Sequence, residues 1–546
     1  MKELLRITVG HLLDQTALKY PENQALIDIP RGVRYSYREL LDVVNQMAKG
    51  LLKLGVKKGE HIALWAPNIS EWVITEFAIG KIGAVLISVD ANTQIQQLEY
   101  ILRQSDSKTL IMATGTKGSE HIEMIHHLCP ELKNSIPGKL DSSALPELKN
   151  IILISDHPGP GMFTWRKALQ IGRTIPDSLL GERQRSCYED DVVTILYTSG
   201  TTGTPKGVMS THFGIINTTL ASAENQKLTT EDRLCLSVPL SHMFGCICIT
   251  LAAVIKGAIL VIPSDAFDAH KILNAIEKEQ CTAIYGSPST FITLMEDPQY
   301  QTSNIKSLRT GIMGGAQCPM EVMKKVVEHM GVREIIIGYG QTEASSWITE
   351  TLPDDPLELR VSSVGRPLPN VEVKIIDPKS GEEVQEGSTG EICVRGFNMK
   401  GYYKMPAATA NAIDSEGWLH TGDLGTMGKE DYLKTTGRLK EIIFKRGETI
   451  YPTEIEDVLF SHPKISSVHV FGVPDKIMGE EVAAWIKLEK GEEVTVEEIL
   501  QYSEKKLSAS QLPRYIKFVD AFPMTPLGKA QRFKMREIAI KDYGLE

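Results

Sequence analysis

Short apolar runs alternate with helix-period patterns from near the start of the chain, and that alternation limits the folds available to it. His61–Trp65 reads as a strand, Ser70–Lys81 as a helix and Ala84–Val89 as a second strand, with Thr109–Met112 and Ile151–Ser155 as further strands. The Pro-, Ser- and Lys-rich stretch 130–148 reads as a surface connection. The alternation then resumes, with strands at Ala258–Ile262, Thr282–Tyr285, Leu308–Met313 and Glu334–Ile337 and helices at Ala269–Glu279 and Pro319–Met330. Strands separated by amphipathic helices imply mostly parallel sheets covered by helices on both faces. Two such trains fit one large domain with two sheets. Ligands of such folds sit beyond the carboxyl ends of the strands, where Gly314–Ala316 and Gly338–Glu343 fall.

At 546 residues the chain is longer than one core usually holds. Near residue 361 the texture shifts to short alternating strands with Gly/Pro turns, as in a small barrel or antiparallel sheet: Val371–Ile376, Gly390–Arg395 and Leu433–Thr436. Beyond Gly437 a compact α+β pattern runs through Pro452–Phe460, Ser467–Phe471, Val482–Leu488, Val496–Lys506 and Tyr515–Val519. The expected organisation is a large α/β domain, 1–437, with α/β portions near 1–190 and 191–360 and a β-rich portion near 361–437. A smaller α+β domain, 438–546, follows.

Between the trains lies Tyr197–Gly207, directly after the buried-strand pattern Val192–Leu196. It packs glycines at 200, 203 and 207 among hydroxyls, with Pro205 and Lys206 near its end. Glycines permit φ > 0 and let backbone N–H groups approach a ligand. Hydroxyl donors and a lysine point charge suit phosphate oxygens, so the loop suits a polyphosphate. It has neither the Gly-x-x-x-x-Gly-Lys-Ser/Thr spacing nor Gly-x-Gly-x-x-Gly.

A formal net charge of −10 provides no global attraction for nucleic acid or anionic membrane, so an anionic substrate must be held by local donors. Eight scattered cysteines without a Cys-x-x-Cys pair read as buried thiols in a reducing compartment. His126, His127 and Cys129 lack structural-zinc spacing. The charged N-terminus does not suit a secretory signal, and Ile247–Ile262, interrupted by Lys256 and Gly257, falls short of a membrane span. The expected location is cytoplasm or organellar matrix, and a homodimer is compatible with the sequence.

Six motifs carry a resemblance: Tyr197–Gly207, Pro239–Gly245, Tyr339–Glu343, Trp418–Asp423, Gly437–Ile443 and Pro523–Lys529. In this order they resemble the adenylate-forming superfamily of acyl-CoA synthetases, luciferases and adenylation domains, over most of the chain from Tyr35 to Lys529. The medium-chain fatty acyl-CoA synthetases are most similar, with Gly472–Asp475 and Met478–Glu481 also fitting. One departure is Lys445–Ile450, where Arg446 and Thr449 stand in place of the Gly and Asn of many relatives.

The resemblance implies that a carboxylate attacks the α-phosphate of ATP to give acyl-AMP and pyrophosphate, after which the thiol of CoA displaces AMP. Two anions meet in the first step, so charge neutralisation and positioning dominate it. Thr198, Ser199, Gly200, Thr201, Thr202, Gly203, Thr204, Pro205 and Lys206 would cradle the phosphates. Glu343, with Thr342 beside it and Thr202 as a second ligand, would hold Mg²⁺. Gly314, Gly315 and Ala316 would lie against adenine, and Tyr339, Gly340 and Gln341 would continue the nucleotide site. Asp423 would accept from the ribose hydroxyls and Arg438 would donate beside it. Lys529 would enter the crevice from a mobile C-terminal domain pivoting at Lys440.

His242 and Trp347 are the expected acyl-pocket residues, His242 orienting the carboxylate or gating CoA. An indole at 347 shortens a pocket, favouring a medium-chain or compact cyclic or aromatic acid. Pro239–Gly245 contains no Asp to hold an α-ammonium, which disfavours an amino acid substrate. Other readings open at this stage are transfer to a carrier protein, a luciferase-like oxygenase, and a non-catalytic nucleotide-binding regulator.

Overall fold

The computed structural model describes residues 4–115, 118–198, 205–316, 318–446, 448–525 and 529–545. The chain packs into two units. The first is 1–361 with 365–372 and 394–419; the second is 362–364, 373–393 and 420–546.

Two large sheets build the first unit. One has eight strands in the order Gly401–Tyr402, Lys206–Thr211, Val192–Thr198, Val85–Val89, His61–Trp65, Thr109–Ala113, Asn150–Ile154 and Phe163–Thr164. The other has nine: Arg366–Pro367, Ser346–Glu350, Glu334–Gln341, Thr310–Gly314, Ala283–Gly286, Arg233–Cys235, Ile259–Ile262, Gln24–Asp28 and Val33–Ser36. The α/β class, with two mostly parallel helix-flanked sheets, is as the alternation implies. The trains nevertheless interleave: Gln24–Asp28 pairs with Ile259–Ile262, and Val192–Thr198 pairs with Val85–Val89. Sequence order conceals this because a strand's pattern reports its burial and not its neighbour.

The helix Ser70–Ile82 explains how the sheets share one core. Every residue but Glu71 in it is buried, and it packs on strands of both sheets. A helix apolar all round belongs inside. Glu76 lies there buried, and desolvation holds its carboxyl well above the usual range.

The stretch 130–148 runs along the surface as expected, but it is pinned to the core at four points. Leu132, Leu140, Leu145 and Leu148 are buried in the core beneath the eight-stranded sheet. The intervening prolines, lysines and serines made the segment read polar, while four spaced leucines anchor it. Ile247–Ile262 is divided among π-helical Phe244–Leu251, α-helical Ala252–Lys256 and strand Ile259–Ile262. Among the described residues no helix is long and apolar enough to cross a membrane.

Glu372–Ile376, Gly390–Arg395, Leu419–Met427 and Leu433–Arg438 form a four-stranded sheet that lies mainly in the second unit; only Glu372, Val394, Arg395 and Leu419 of it belong to the first. A further sheet carries Ile465–Asp475 against Gly479–Leu488. Its period-two pattern separates two cores: Val482, Ala484 and Ile486 face one, Ala483 and Trp485 the other. Helices Pro452–Phe460 and Val496–Glu504 cover the first core, and Arg532–Tyr543 covers the second.

Candidate active site

Each large sheet is parallel in its interior and ends in an antiparallel hairpin, and the candidate chemistry sits on those two hairpins. In the eight-stranded sheet Thr198 pairs with Lys206, so the strands deliver both ends of the phosphate-loop segment. Residues 199–204, namely Ser199, Gly200, Thr201, Thr202, Gly203 and Thr204, lie outside the described residues. The base of the loop is clamped from the helix Ile95–Gln104: Tyr100 Oη donates to Pro205 O at 2.9 Å, and Tyr197 Oη donates to Gln104 Oε1. Gly207 does not take the positive φ that the sequence reading allowed for it. It lies inside the strand, where a Cβ would stand 2.7 Å from Ile195 Cγ2. Its smallness is needed for strand packing.

In the nine-stranded sheet, Glu334–Gln341 turns through Thr342–Ala344 into Ser346–Glu350. Ser345 and Ser346 have φ of 57° and 118°, left-handed conformations that cost a side-chain-bearing residue about 1–3 kcal/mol each. Thr218 on the neighbouring helix supports them: its Oγ1 donates to Ser345 O at 2.9 Å and lies 3.0 Å from Ser346 Oγ. This turn presents Glu343, half-buried, beside buried Thr342. Tyr339, Gly340 and Gln341 lead into it, and Gln341 Nε2 is buried without a partner among the described residues. Such an orphan donor suits a ligand oxygen.

Gly314 ends the adjacent parallel strand, Gly315 follows at φ 79°, and Ala316 is exposed. The glycines here accommodate an indole. A Cβ at Gly338 would meet Trp347 Cζ3 at 2.9 Å, and one at Gly314 would meet Trp347 Cη2 at 3.2 Å. Trp347 is 5% exposed and its ring meets Phe244 edge-on at 5.3 Å. His242 opens the segment entering the π-helix, and its Nδ1 accepts from Phe244 N–H at 3.1 Å. A neutral His242 therefore carries its proton on Nε2. Phe244 thus connects both expected pocket residues.

At the far end of the Trp347 strand, Glu350 is fully buried and accepts from Ser222 Oγ and from Asn225 Nδ2 at 3.0 Å. Burial raises its carboxyl from 4.5 to about 7. The folded state therefore holds this proton more tightly than the unfolded state. The associated stabilisation is complete below pH 4.5 and lost as pH rises through about 7. Glu350→Gln should flatten that loss, on the order of 3 kcal/mol. Thermal unfolding across this pH range is the check, and an unchanged slope in the variant would exclude Glu350 as its source.

In the second unit, Asp423 and Arg438 are cross-strand partners, with Arg438 Nε 2.9 Å from Asp423 Oδ1. Asp423 is buried and Arg438 exposed. The preceding Gly422 has φ 69°, and its N–H donates to Glu391 Oε1 at 3.1 Å. Glu391 Oε2 lies 3.0 Å from His420 Nδ1, so one buried carboxylate fixes the turn that carries Asp423. Cys393 Sγ is 3.7 Å from the same ring nitrogen. Lys440 lies in the short helical turn Leu439–Glu441. Lys529 N–H donates to Thr525 Oγ1 at 3.0 Å, and Lys529 O accepts from Thr525 N–H at 2.7 Å, shortly before the last helix.

The structure thus gathers Thr198, Pro205 and Lys206 on one hairpin and Gly340, Gln341, Thr342, Glu343 and Trp347 on the other, all in the first unit. Asp423, Arg438, Lys440 and Lys529 belong to the second. Sequence reading missed Glu391, Tyr402 and Arg532. No local spacing marks them, because their partners lie between 29 and 91 residues away.

The AMP-binding enzyme family matches residues 13–403, and the AMP-binding enzyme C-terminal domain matches residues 454–529. The Bacillus subtilis (strain 168) protein YngI, which carries an acyl-CoA synthetase name, is 46% identical across 100% of this chain and 99% of its own length. The mitochondrial medium-chain acyl-CoA ligase ACSF2 of Danio rerio is 38% identical across 98% of this chain and 89% of its own. The anthranilate CoA ligase AuaEII, solved with anthranoyl-AMP, is similar with a TM-score of 0.87 at 25% identity, covering 100% of both chains. A Mycobacterium tuberculosis fatty acyl CoA synthetase gives 0.74 at 27%, covering 98% of this chain and 99% of that one. The two family models together span most of the chain, and the relatives at 46% and 38% identity cover it almost end to end: the chain belongs to the AMP-binding enzyme family and is an AMP-forming acyl-CoA ligase, using ATP and CoA.

Proposed function

We propose that this ligase acts on a medium-chain fatty acid or a compact cyclic or aromatic acid. The observation that carries this reading is the seat of Trp347: its buried indole lies over Gly314 and Gly338, with Phe244 against its edge. A rigid aromatic wall so placed limits depth more than width. The names of two similar proteins, a medium-chain ligase and an anthranilate ligase, support both halves of the range. Trp347→Ala should shift preference toward longer acids, raising the long-to-medium ratio of kcat/KM about tenfold. A panel of straight-chain acids, followed by AMP release with CoA, reads this out. An unaltered chain-length profile would remove Trp347 as the determinant.

The loop 198–206 holds the phosphates, and Lys206 contributes one cation. Asp423 accepts from the ribose through the carboxylate edge that Arg438 leaves open, and Arg438 donates beside it. His242, with its Nε2–H, orients the acid carboxylate. Gly314, Gly315 and Ala316 take the adenine face. Glu343 suits a hard divalent cation, because it is an oxygen ligand at a fixed turn, and Thr342 and Thr202 add neutral oxygens. Mg²⁺ held there would offset the charge on the ATP oxygens. Lys529 supplies the cation for adenylation. A pivot at Lys440, with the chain beyond it as the moving part, would give the two half-reactions different surroundings.

A further inference from the structure

Tyr402 belongs to no role assigned above, yet it touches both hairpins. It lies in the short strand Gly401–Tyr402, which pairs antiparallel with the phosphate-loop hairpin, Tyr402 opposite Val208. Lys400 N–H donates to Met209 O at 2.9 Å and Tyr403 N–H to Gly207 O at 2.8 Å. Just before this strand, Met399 N–H donates to Glu343 O at 2.8 Å. Five consecutive residues therefore strap the end of one sheet to the end of the other. The Tyr402 side chain repeats the link: Oη donates to Glu343 Oε1 at 2.9 Å, and Lys206 Nζ stands 4.8 Å from the ring centroid. Tyr402 is buried at 8% exposure, so its hydroxyl and ring face are held in place between the two hairpins.

We propose that Tyr402 is the positioning residue that presents Glu343 to a divalent cation and Lys206 to the phosphates. This inference rests on the assignment of Glu343 as metal ligand. One phenol gives each charge a separate partner, hydroxyl for the carboxylate and ring face for the ammonium. Two opposite charges brought to one polyphosphate site would otherwise neutralise each other across it. Engaging Oε1 also fixes the carboxylate plane, so that the second oxygen has one direction.

The test uses the full-length chain, without acid so that nothing turns over, and measures Mn²⁺·ATP binding by titration calorimetry. Tyr402→Phe keeps the ring and loses the hydroxyl; binding should weaken about tenfold, as expected for a hydrogen bond to a charged group. Tyr402→Leu also removes the ring face and should weaken it a further twofold to fivefold, about the range of a cation–π contact. In a Glu343→Gln background Tyr402→Phe should add nothing, because the hydroxyl acts through that carboxylate. A merely structural role would leave Mn²⁺·ATP affinity unchanged or give multiplying losses in the double variant, and either result overturns the inference. Equal affinity of the Phe and Leu variants would overturn its Lys206 half. A Glu343→Gln variant that binds as tightly as the parent would overturn the metal assignment itself, and this inference with it. Tyr402→Phe weak beside a weak Glu343→Gln, with no further loss in the double variant, is the supporting outcome.

Discussion

Lys529→Ala should lose adenylation by about 10²–10³, the cost of about 3–4 kcal/mol for removing a donor aimed at developing transition-state charge. It should leave thioester formation from supplied acyl-AMP nearly intact. The first half-reaction brings a carboxylate to a polyphosphate, and a cation relieves repulsion at the moment the O–P bond forms. The second replaces AMP by a thiol and has no comparable meeting of anions. Thr525 holds the Lys529 backbone through two hydrogen bonds that alanine retains, so the substitution removes charge without removing that anchor. Pyrophosphate release and acyl-CoA formation from synthetic acyl-AMP measure the two steps separately. Lys440→Pro provides the opposite arm: restricting φ at a pivot should impair thioester formation more than adenylation. Equal losses in both steps, for either variant, would argue against the division of labour.

Arg532→Ala should cost the second unit about 3 kcal/mol or more. Arg532 Nη2 donates to both oxygens of Glu456 at 2.8 Å, and Nη1 donates to Glu441 at 2.6 Å. Glu456 is buried and also accepts from Val470 N–H at 2.7 Å. Burial alone would raise its carboxyl, but Arg532 and His469 outweigh burial and hold it below the usual range. Deleting the guanidinium strands a buried charge, which is far costlier than replacing a whole pair. Hydrogen exchange of the full chain should show faster exchange through Ile465–Asp475 and Gly479–Leu488, with the first unit unchanged. Arg536→Ala is the control. Its pair with Glu480 at 2.7 Å is 40% exposed on the arginine side, where an ion pair contributes less than about 1 kcal/mol. Similar exchange in the two variants would mean that Arg532 is not the anchor of the last helix.

Arg532 also shows what a linear reading misses. Three residues before it, Lys529 stands in a motif dense with Pro, Gly and Thr, and such density marks it. Arg532 has no such surroundings, because its partners come from a helix and a turn far earlier in the chain. The same holds for Tyr402 and Glu391. Leucines 132, 140, 145 and 148 are a converse case, since composition made their segment look solvated although each is buried. Gly207, Gly314 and Gly338 fall between these cases. Their identity was plain, but only packing shows that Gly207 admits Ile195 and that the other two admit an indole.

The sequence by itself determined the α/β class, most element positions and the reaction family, because burial periodicity and glycine-, hydroxyl- and charge-bearing motifs are local properties of the chain. Tertiary structure decided which strands are neighbours, which glycines serve packing and not turns, and how charges from the two sheets meet at Tyr402. Those outcomes depend on contacts between residues far apart in sequence, made only when parallel sheet interiors end in antiparallel hairpins and a five-residue strap binds one hairpin to the other.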